Sequence, residues 1–367
     1  MSATVDFDVG GVLGVRLLDA GPREAAAVAR QLGPLERPLA REPDITVRFV
    51  EHLATPELCF IGLADAGFSG ESFLLLRGRA KALQRTEIPF EQLGERLEIR
   101  CERSAAGVPL LIPLLNATLL ARGFLPLHAA AFQHGETGVV VTGWSKGGKT
   151  ETLLAFLARG ARYVADEWLI LAPDGAAMFG LPEPIRLWSW HLDSLPVLRG
   201  RLRPGERARL ALLGALSGLA GPGRAGSAPL LTRTRALLQR QRYVDVPPAR
   251  LFPVPDGAPD RRPPRPERLL FVLSHARPEI VVRPVDPVEV AERMCASLAE
   301  EDLRLLSCYH KYRFAFPGRR SAFFEQAGER RRALLHAALA GRPAYEVRHP
   351  YPVSLPALHD ALEEVCA

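Results

Sequence analysis

Cysteine is scarce and without pattern in this chain. Cys59, Cys101, Cys295, Cys308 and Cys366 are odd in number and scattered, with neither metal spacing nor a disulfide framework. A reducing, cytoplasmic setting is therefore expected. Long apolar runs are missing too. The longest, Val108 to Leu120, contains Pro113 and Asn116 and is too short to span a bilayer, so no membrane partner is expected. The N-terminus carries Asp6 and Asp8 and no basic stretch, so no secretory leader is expected. Lysine is scarce as well: only 4 of the 47 Lys and Arg residues are Lys. Where arginine is the default cation, a lysine suggests a need for a compact ammonium.

Two of those lysines, Lys146 and Lys149, fall in one loop. Val139 to Thr142 is a short β-branched run, the mark of a buried strand. Gly143, Gly148, Lys149 and Thr150 then fit G-x-x-x-x-G-K-[ST], and the apolar run Thr152 to Leu157 opens a helix. A random match is expected about 0.002 times in a chain of this composition. Glycines let successive N–H groups turn inward around phosphate oxygens, and the helix points its positive end at the same place. Nucleotide contacts are expected from Gly143, Trp144, Ser145, Lys146, Gly147, Gly148, Lys149, Thr150 and Glu151. Lys149 would reach the β- and γ-phosphates, and Thr150 would offer its hydroxyl to Mg²⁺. The expected ligands are ATP and Mg²⁺.

With 367 residues, 47% hydrophobic and 24% charged, the chain has room for two domains or one large one. Residues 1–124 read as an α+β accessory module. Strands are expected at Gly11 to Leu18, Ile45 to Val50, Leu58 to Leu63, Ser72 to Leu76, Ala82 to Pro89 and Leu97 to Cys101, and helices at Pro22 to Leu32 and Val108 to Arg122. Residues 125–367 read as the nucleotide-binding domain. It is expected to hold strands at Leu125 to Phe132, Ala161 to Ala165, Leu269 to Leu273 and Ala344 to Arg348. Helices are expected at Pro287 to Leu305, Ser321 to Ala340 and Ser354 to Val365. Within it, residues 197–266 are rich in Pro, Gly and Arg, with a helix at Ala208 to Leu219 and an extended linker at Pro247 to Pro266. Arg199 to Arg268 holds fifteen Arg against Glu206, Asp245, Asp256, Asp260 and Glu267. A solvated insertion is the favoured reading; an acidic partner is an alternative, and the few aromatics for base stacking argue against nucleic acid.

Phosphoryl transfer needs a phosphate cradle, a metal, and a carboxylate for the acceptor's proton. Asp166 and Glu167 leave a strand end soon after the loop helix, near the loop mouth. One would hold Mg²⁺ and the other act as general base; chemistry alone does not choose between them. Arg186 is a candidate for stabilising charge on the transferring group, a surface ion pair being the alternative. Trp144 could stack on a base, while Trp188 and Trp190 could line an acceptor pocket, with core packing as the commoner fate.

Leu127-His128, the run Gly143 to Glu151, and Val164-Ala165-Asp166-Glu167 together resemble the catalytic domain of HPr kinase/phosphorylase and related bacterial kinases. The match covers about Leu125 to Leu171, with an echo at Pro184-Ile185-Arg186. The resemblance implies an α/β fold: a P-loop kinase core of that type behind an N-terminal α+β module. It implies that Glu167 is the proton acceptor, that His128 assists it and that Thr150 binds Mg²⁺, with Glu183 standing in for a metal-binding Glu. The sequence departs from the family at Lys146, where Gly is usual, and at Glu167, where Asp is usual. The first module does not resemble the family's N-terminal domain, so HPr itself is not the expected acceptor. The expectation is thus an ATP-dependent kinase acting on a hydroxyl of a peptide, a protein Ser or a small molecule, in a chain compatible with homo-oligomers. The alternative is a nucleotide-gated switch with incidental ATP hydrolysis.

Overall fold

The computed structural model describes residues 3–54, 57–61, 65–77, 83–103, 107–219, 236–252 and 262–367. The first half is built on strands β1 (Ala3–Val9), β2 (Leu13–Ala20), β3 (Ile45–Val50), β4 (Cys59–Ile61), β5 (Ala66–Ser69), β6 (Ser72–Arg77), β7 (Leu83–Glu87) and β8 (Leu97–Glu102). They form one sheet in the order β1-β2-β3-β8-β7-β6-β5-β4. Strict alternation in β3 and β8 buries Ile45, Val47 and Phe49 beside Leu97, Ile99 and Cys101. Helices Pro22–Leu32 and Leu111–Ala121 contribute Val28, Leu32, Leu114, Leu115 and Leu119 to the same apolar cluster. The first helix starts where the Glu24 carboxylate accepts from the Gly21 N–H at 3.1 Å.

The second half carries β9 (Leu125–His134), β10 (Thr137–Thr142), β11 (Arg162–Ala165), β12 (Trp168–Leu171), β13 (Met178–Gly180), β14 (Ile185–Trp188), β15 (Tyr243–Val246), β16 (Arg268–His275), β17 (Val281–Pro284) and β18 (Ala344–Pro350). Its main sheet runs β13-β12-β9-β10-β16-β18-β17, with β11 also on β9. The centre, β10-β16-β18, is parallel, and β9 is antiparallel to β10. Helices Lys149–Leu157 and Leu355–Cys366 bury Leu154, Phe156, Leu358 and Leu362 in one cluster with Val139 and Val141 of β10. Phe156 stacks on Phe132 of β9 at 4.6 Å. The chain is therefore mixed α/β, with both parallel and antiparallel pairing. No helix among the described residues is long and apolar enough to cross a membrane.

Several elements differ from expectation. Strand β1 and the short strands β5, β13, β15 and β17 are additional. The helix begun at Pro287 continues to Ala315 instead of stopping at Leu305. The strand expected from Leu58 is Cys59–Ile61, and residues 62–64 lie outside the described residues, as does Ala82. The basic segment is not simply solvated. It forms helix Pro204–Leu219 and strand β15, which pairs with β14. Leu198, Leu202, Val244, Val246 and Leu251 sit in the same cluster as the loop helix. The expected linker opens with a helical turn, Pro248–Leu251, while residues 253–261 and 220–235 lie outside the described residues.

The long helix Pro287–Ala315 serves both halves. Val290, Ala291, Met294 and Leu298 pack under the second sheet, whereas Leu305, Cys308, Tyr309 and Tyr312 join the first module's cluster. Phe90 is the joint: its ring lies 5.0 Å from Phe73, 5.5 Å from Tyr312 and 5.8 Å from Phe324 of helix Ala322–Leu339. Phe90→Ala is expected to cost roughly 3–5 kcal/mol. Because the core is shared, denaturant unfolding should stay one transition at a lower midpoint; separate transitions for the two halves would contradict that.

Candidate functional site

The loop after β10 is shaped by its close neighbours. Gly143 has φ +152°, and a Cβ there would lie 2.4 Å from the Val272 carbonyl of β16. Gly148, just ahead of the helix, has φ +112°, and its Cβ would lie 2.0 Å from His349 Nε2. No L side chain fits either place. Lys146 also has positive φ, +64°. That left-handed conformation costs a non-glycine residue roughly 1–2 kcal/mol. Trp144, Ser145 and Lys146 form the exposed crest, Trp144 being 47% exposed rather than packed into the core. Gly147 is buried, its N–H bonded to the Trp144 carbonyl at 3.0 Å. His349 of β18, fully buried, lies under the loop with Nε2 3.0 Å from the Gly147 carbonyl.

Lys149 is 5% exposed, and its Nζ donates to the carbonyls of Gly143 and Trp144 at 3.3 and 3.2 Å. Burial pulls its pKa down, while the carboxylates of Glu167, Asp166, Glu301 and Glu151 pull the other way. The cradle, the positive helix end and a lysine held on replaceable carbonyls fit a bound polyphosphate.

The two acids of the Asp166-Glu167 pair have different surroundings. Asp166 is 4% exposed and accepts from Thr150 Oγ1 at 2.9 Å. Burial, reinforced by the Glu167 charge, pushes its pKa up to about 7. The Glu167 side chain is half exposed, and its Oε2 lies 3.0 Å from His128 Nε2. Strand register produces this contact: Trp168 of β12 stands opposite His128 of β9, so Glu167 arrives beside the imidazole. The other ring nitrogen, Nδ1, lies 2.5 Å from Glu301 Oε1 on the long helix. Both nitrogens face carboxylate oxygens, an arrangement that favours the doubly protonated, charged ring. Burial opposes that charge, yet Glu167 and Glu301 outweigh it and raise the His128 pKa. Burial also opposes the Glu167 charge, but His128 and Lys149 hold its pKa below the usual value. The His128 hydrogen bond lowers Glu301 as well.

The remaining candidates divide. Arg186 on β14 donates through Nε to Asp245 Oδ1 at 2.9 Å and lies 4.3 Å from the Tyr243 ring centroid. It borders a cleft of about 440 Å³ together with Glu167, Trp168 and Glu183. Glu151, expected among the nucleotide contacts, is buried and accepts from His191 Nε2 at 3.2 Å. His191 Nδ1 in turn accepts from the Trp188 N–H, fixing the tautomer. Trp188 packs on Tyr243 and Trp190 on Tyr351. Among the described residues, no three His, Cys, Asp or Glu side chains group as a metal site, so Asp166, Glu167 and Glu183 do not form a carboxylate cage. The Thr150–Asp166 pair does fit the magnesium of a nucleotide, which draws most of its oxygens from phosphates and water. Glu301 escaped sequence reading. It lies 173 residues from His128 in an acidic stretch of an amphipathic helix, and nothing local marks it.

No protein-family model matches this chain, and no curated protein matches it either.

The Asp166 environment has a pH signature. The folded carboxyl keeps its proton up to about 7, whereas the unfolded one loses it near 4. The native state thus binds more protons across that window, and stability falls as pH rises through it. Asp166→Asn should flatten this fall and stabilise the nucleotide-free, metal-free protein at pH 8 relative to the parent. Urea midpoints at about pH 5 and 8 measure it; an undiminished difference in the variant would exclude Asp166 as the source.

Proposed function

We propose that the chain is an ATP-dependent kinase of the HPr-kinase-like type, with a P-loop core, transferring the γ-phosphoryl group of Mg·ATP to a hydroxyl. The observation that carries the reading is the Glu167 carboxylate at the edge of a cleft, held by His128, whose other ring nitrogen meets Glu301, and adjoining Asp166, which the loop's Thr150 meets. Parallel strands β10, β16 and β18, with the loop leaving the end of β10, support the fold assignment.

Each residue has a role in this reading. Loop N–H groups from Gly143 to Thr150 take the phosphate oxygens, and Lys149 exchanges its two carbonyl partners for phosphate. Thr150 and Asp166 would hold the magnesium, which neutralises developing charge on the phosphates when bound. Glu167 faces the cleft and stays ionised, so it is the general base, and Asp166 is the metal carboxylate. The acceptor oxygen bonds to the γ-phosphorus as the bond to the bridging oxygen breaks. ADP leaves with that electron pair, and the hydroxyl proton passes to Glu167. His128 keeps both of its protons. Its Nε2–H fixes the Glu167 carboxylate, and Glu301 fixes the ring. A weakened base is adequate where the transition state is loose and proton transfer comes late.

A nucleotide-gated switch would need the loop but no clamped carboxylate, so the Glu167–His128–Glu301 chain favours the enzyme. The five cysteines are all free thiols, which suits a reducing cytoplasm.

Lys149→Ala should abolish turnover of γ-labelled ATP. Glu167→Gln should bind ATP as before and lose about 10²–10⁴-fold in transfer; full transfer by that variant would remove Glu167 as the base. Glu301→Gln should leave ATP affinity alone, and lower the His128 imidazole pKa read by nitrogen NMR. An unmoved titration would reduce Glu301 to a packing role.

A further inference from the structure

We propose that the cleft beside Glu167 is the acceptor site and that it takes a small hydroxylated anion, not a serine on a protein. The proposal rests on the kinase reading and narrows its acceptor. The cleft holds about 440 Å³, within the range of about 300–1,000 Å³ typical of small-molecule sites, which favour the joints between modules. Its walls come from both halves of the chain. Helix Pro22–Leu32 contributes Arg30 and the second half contributes Glu167, Trp168 and Arg186, while the long helix contributes Arg304. The first module therefore stands across the gap from the base. A gap of this size between two walls suits a free small molecule better than a serine carried on a folded surface.

Three arginines, Arg30, Arg186 and Arg304, line the cleft with three acids, Glu167, Glu183 and Asp245. Glu167 accepts from His128 and Asp245 from Arg186. Arg186 uses Nε and Nη2 on Asp245 and lies over Tyr243, so its guanidinium is held in place with Nη1 outside those two bonds. A fixed guanidinium loses little entropy on meeting an anion. Arg304 follows Glu301 by three residues on the same helix, so the two share a face, and Glu301 is the residue that reaches His128. Among the described residues Arg304 makes no hydrogen bond or ion pair. An acceptor with its hydroxyl at Glu167 and its carboxylate or phosphate oxygens toward Arg304 and Arg186 would satisfy both ends of the cleft. Trp168 gives the ligand's carbon skeleton an apolar wall.

The test gives the full chain Mg·ATP and, separately, millimolar glycerate, glycerol phosphate, glycerol and a seryl peptide, with phosphorylated products read by mass spectrometry. Glycerate or glycerol phosphate should be phosphorylated, and which of them is used separates the carboxylate from the phosphate class. Glycerol and the peptide should not be. Arg304→Gln should raise the KM for the accepted anion about ten- to hundredfold, and Arg304→Lys should recover part of it. Preference for the peptide, equal use of glycerol, or an unmoved KM in Arg304→Gln would overturn the proposal. So would no product from any of the four while ATP turnover still depends on Lys149, a result that leaves nucleotide binding at the loop standing. ATP turnover indifferent to Lys149→Ala would instead sink the kinase reading beneath it.

Discussion

A buried ammonium whose hydrogen bonds go to two carbonyl oxygens is the constraint around which this molecule is arranged. Lys149 cannot be shielded by water, and its nearest partners are two peptide oxygens of its own loop. Burial disfavours its charge, and nearby carboxylates offset part of that cost. The loop that supplies those oxygens is bent so tightly against β16 and His349 that two of its positions exclude any side chain. Strand, bend, helix and the acid pair therefore form one unit in which each part answers the charge or the crowding of another.

A second charge, on His128, extends that unit across the molecule. The imidazolium lies between a carboxylate from the neighbouring strand and one from the long helix. Together the two acids outweigh the burial of the ring. The same helix then runs on into the aromatic cluster of the first module. The reacting end of Glu167 is thus tied, through one ring and one helix, to packing more than a hundred residues away in the sequence.

The local part of this design was legible in the sequence. The loop, its strand and helix, and the Asp166-Glu167 pair are all written within about thirty consecutive residues, where periodicity and glycine placement carry the information. Most long elements were legible for the same reason. What could not be read depends on contacts distant in the chain. Glu301 and Arg304 are ordinary charged helix residues until the helix is placed. Asp245 acquires a meaning only when β15 pairs with β14. Strands such as β5, β13 and β17 have three or four residues, too few to show alternation, and are defined by the neighbour they pair with. The basic segment misled because its many arginines hide the few leucines and valines that enter the core.

The long helix leaves the two halves without independent surfaces. Leu305, Cys308, Tyr309 and Tyr312 belong by sequence to the second half and by packing to the first. Cutting the chain near residue 124 would strip a ribbon of tyrosine and leucine bare to water, and exposed apolar ribbons of that kind drive association. Neither fragment is then a smaller version of the protein. A working minimal version would have to keep both sheets, or replace that ribbon with polar residues.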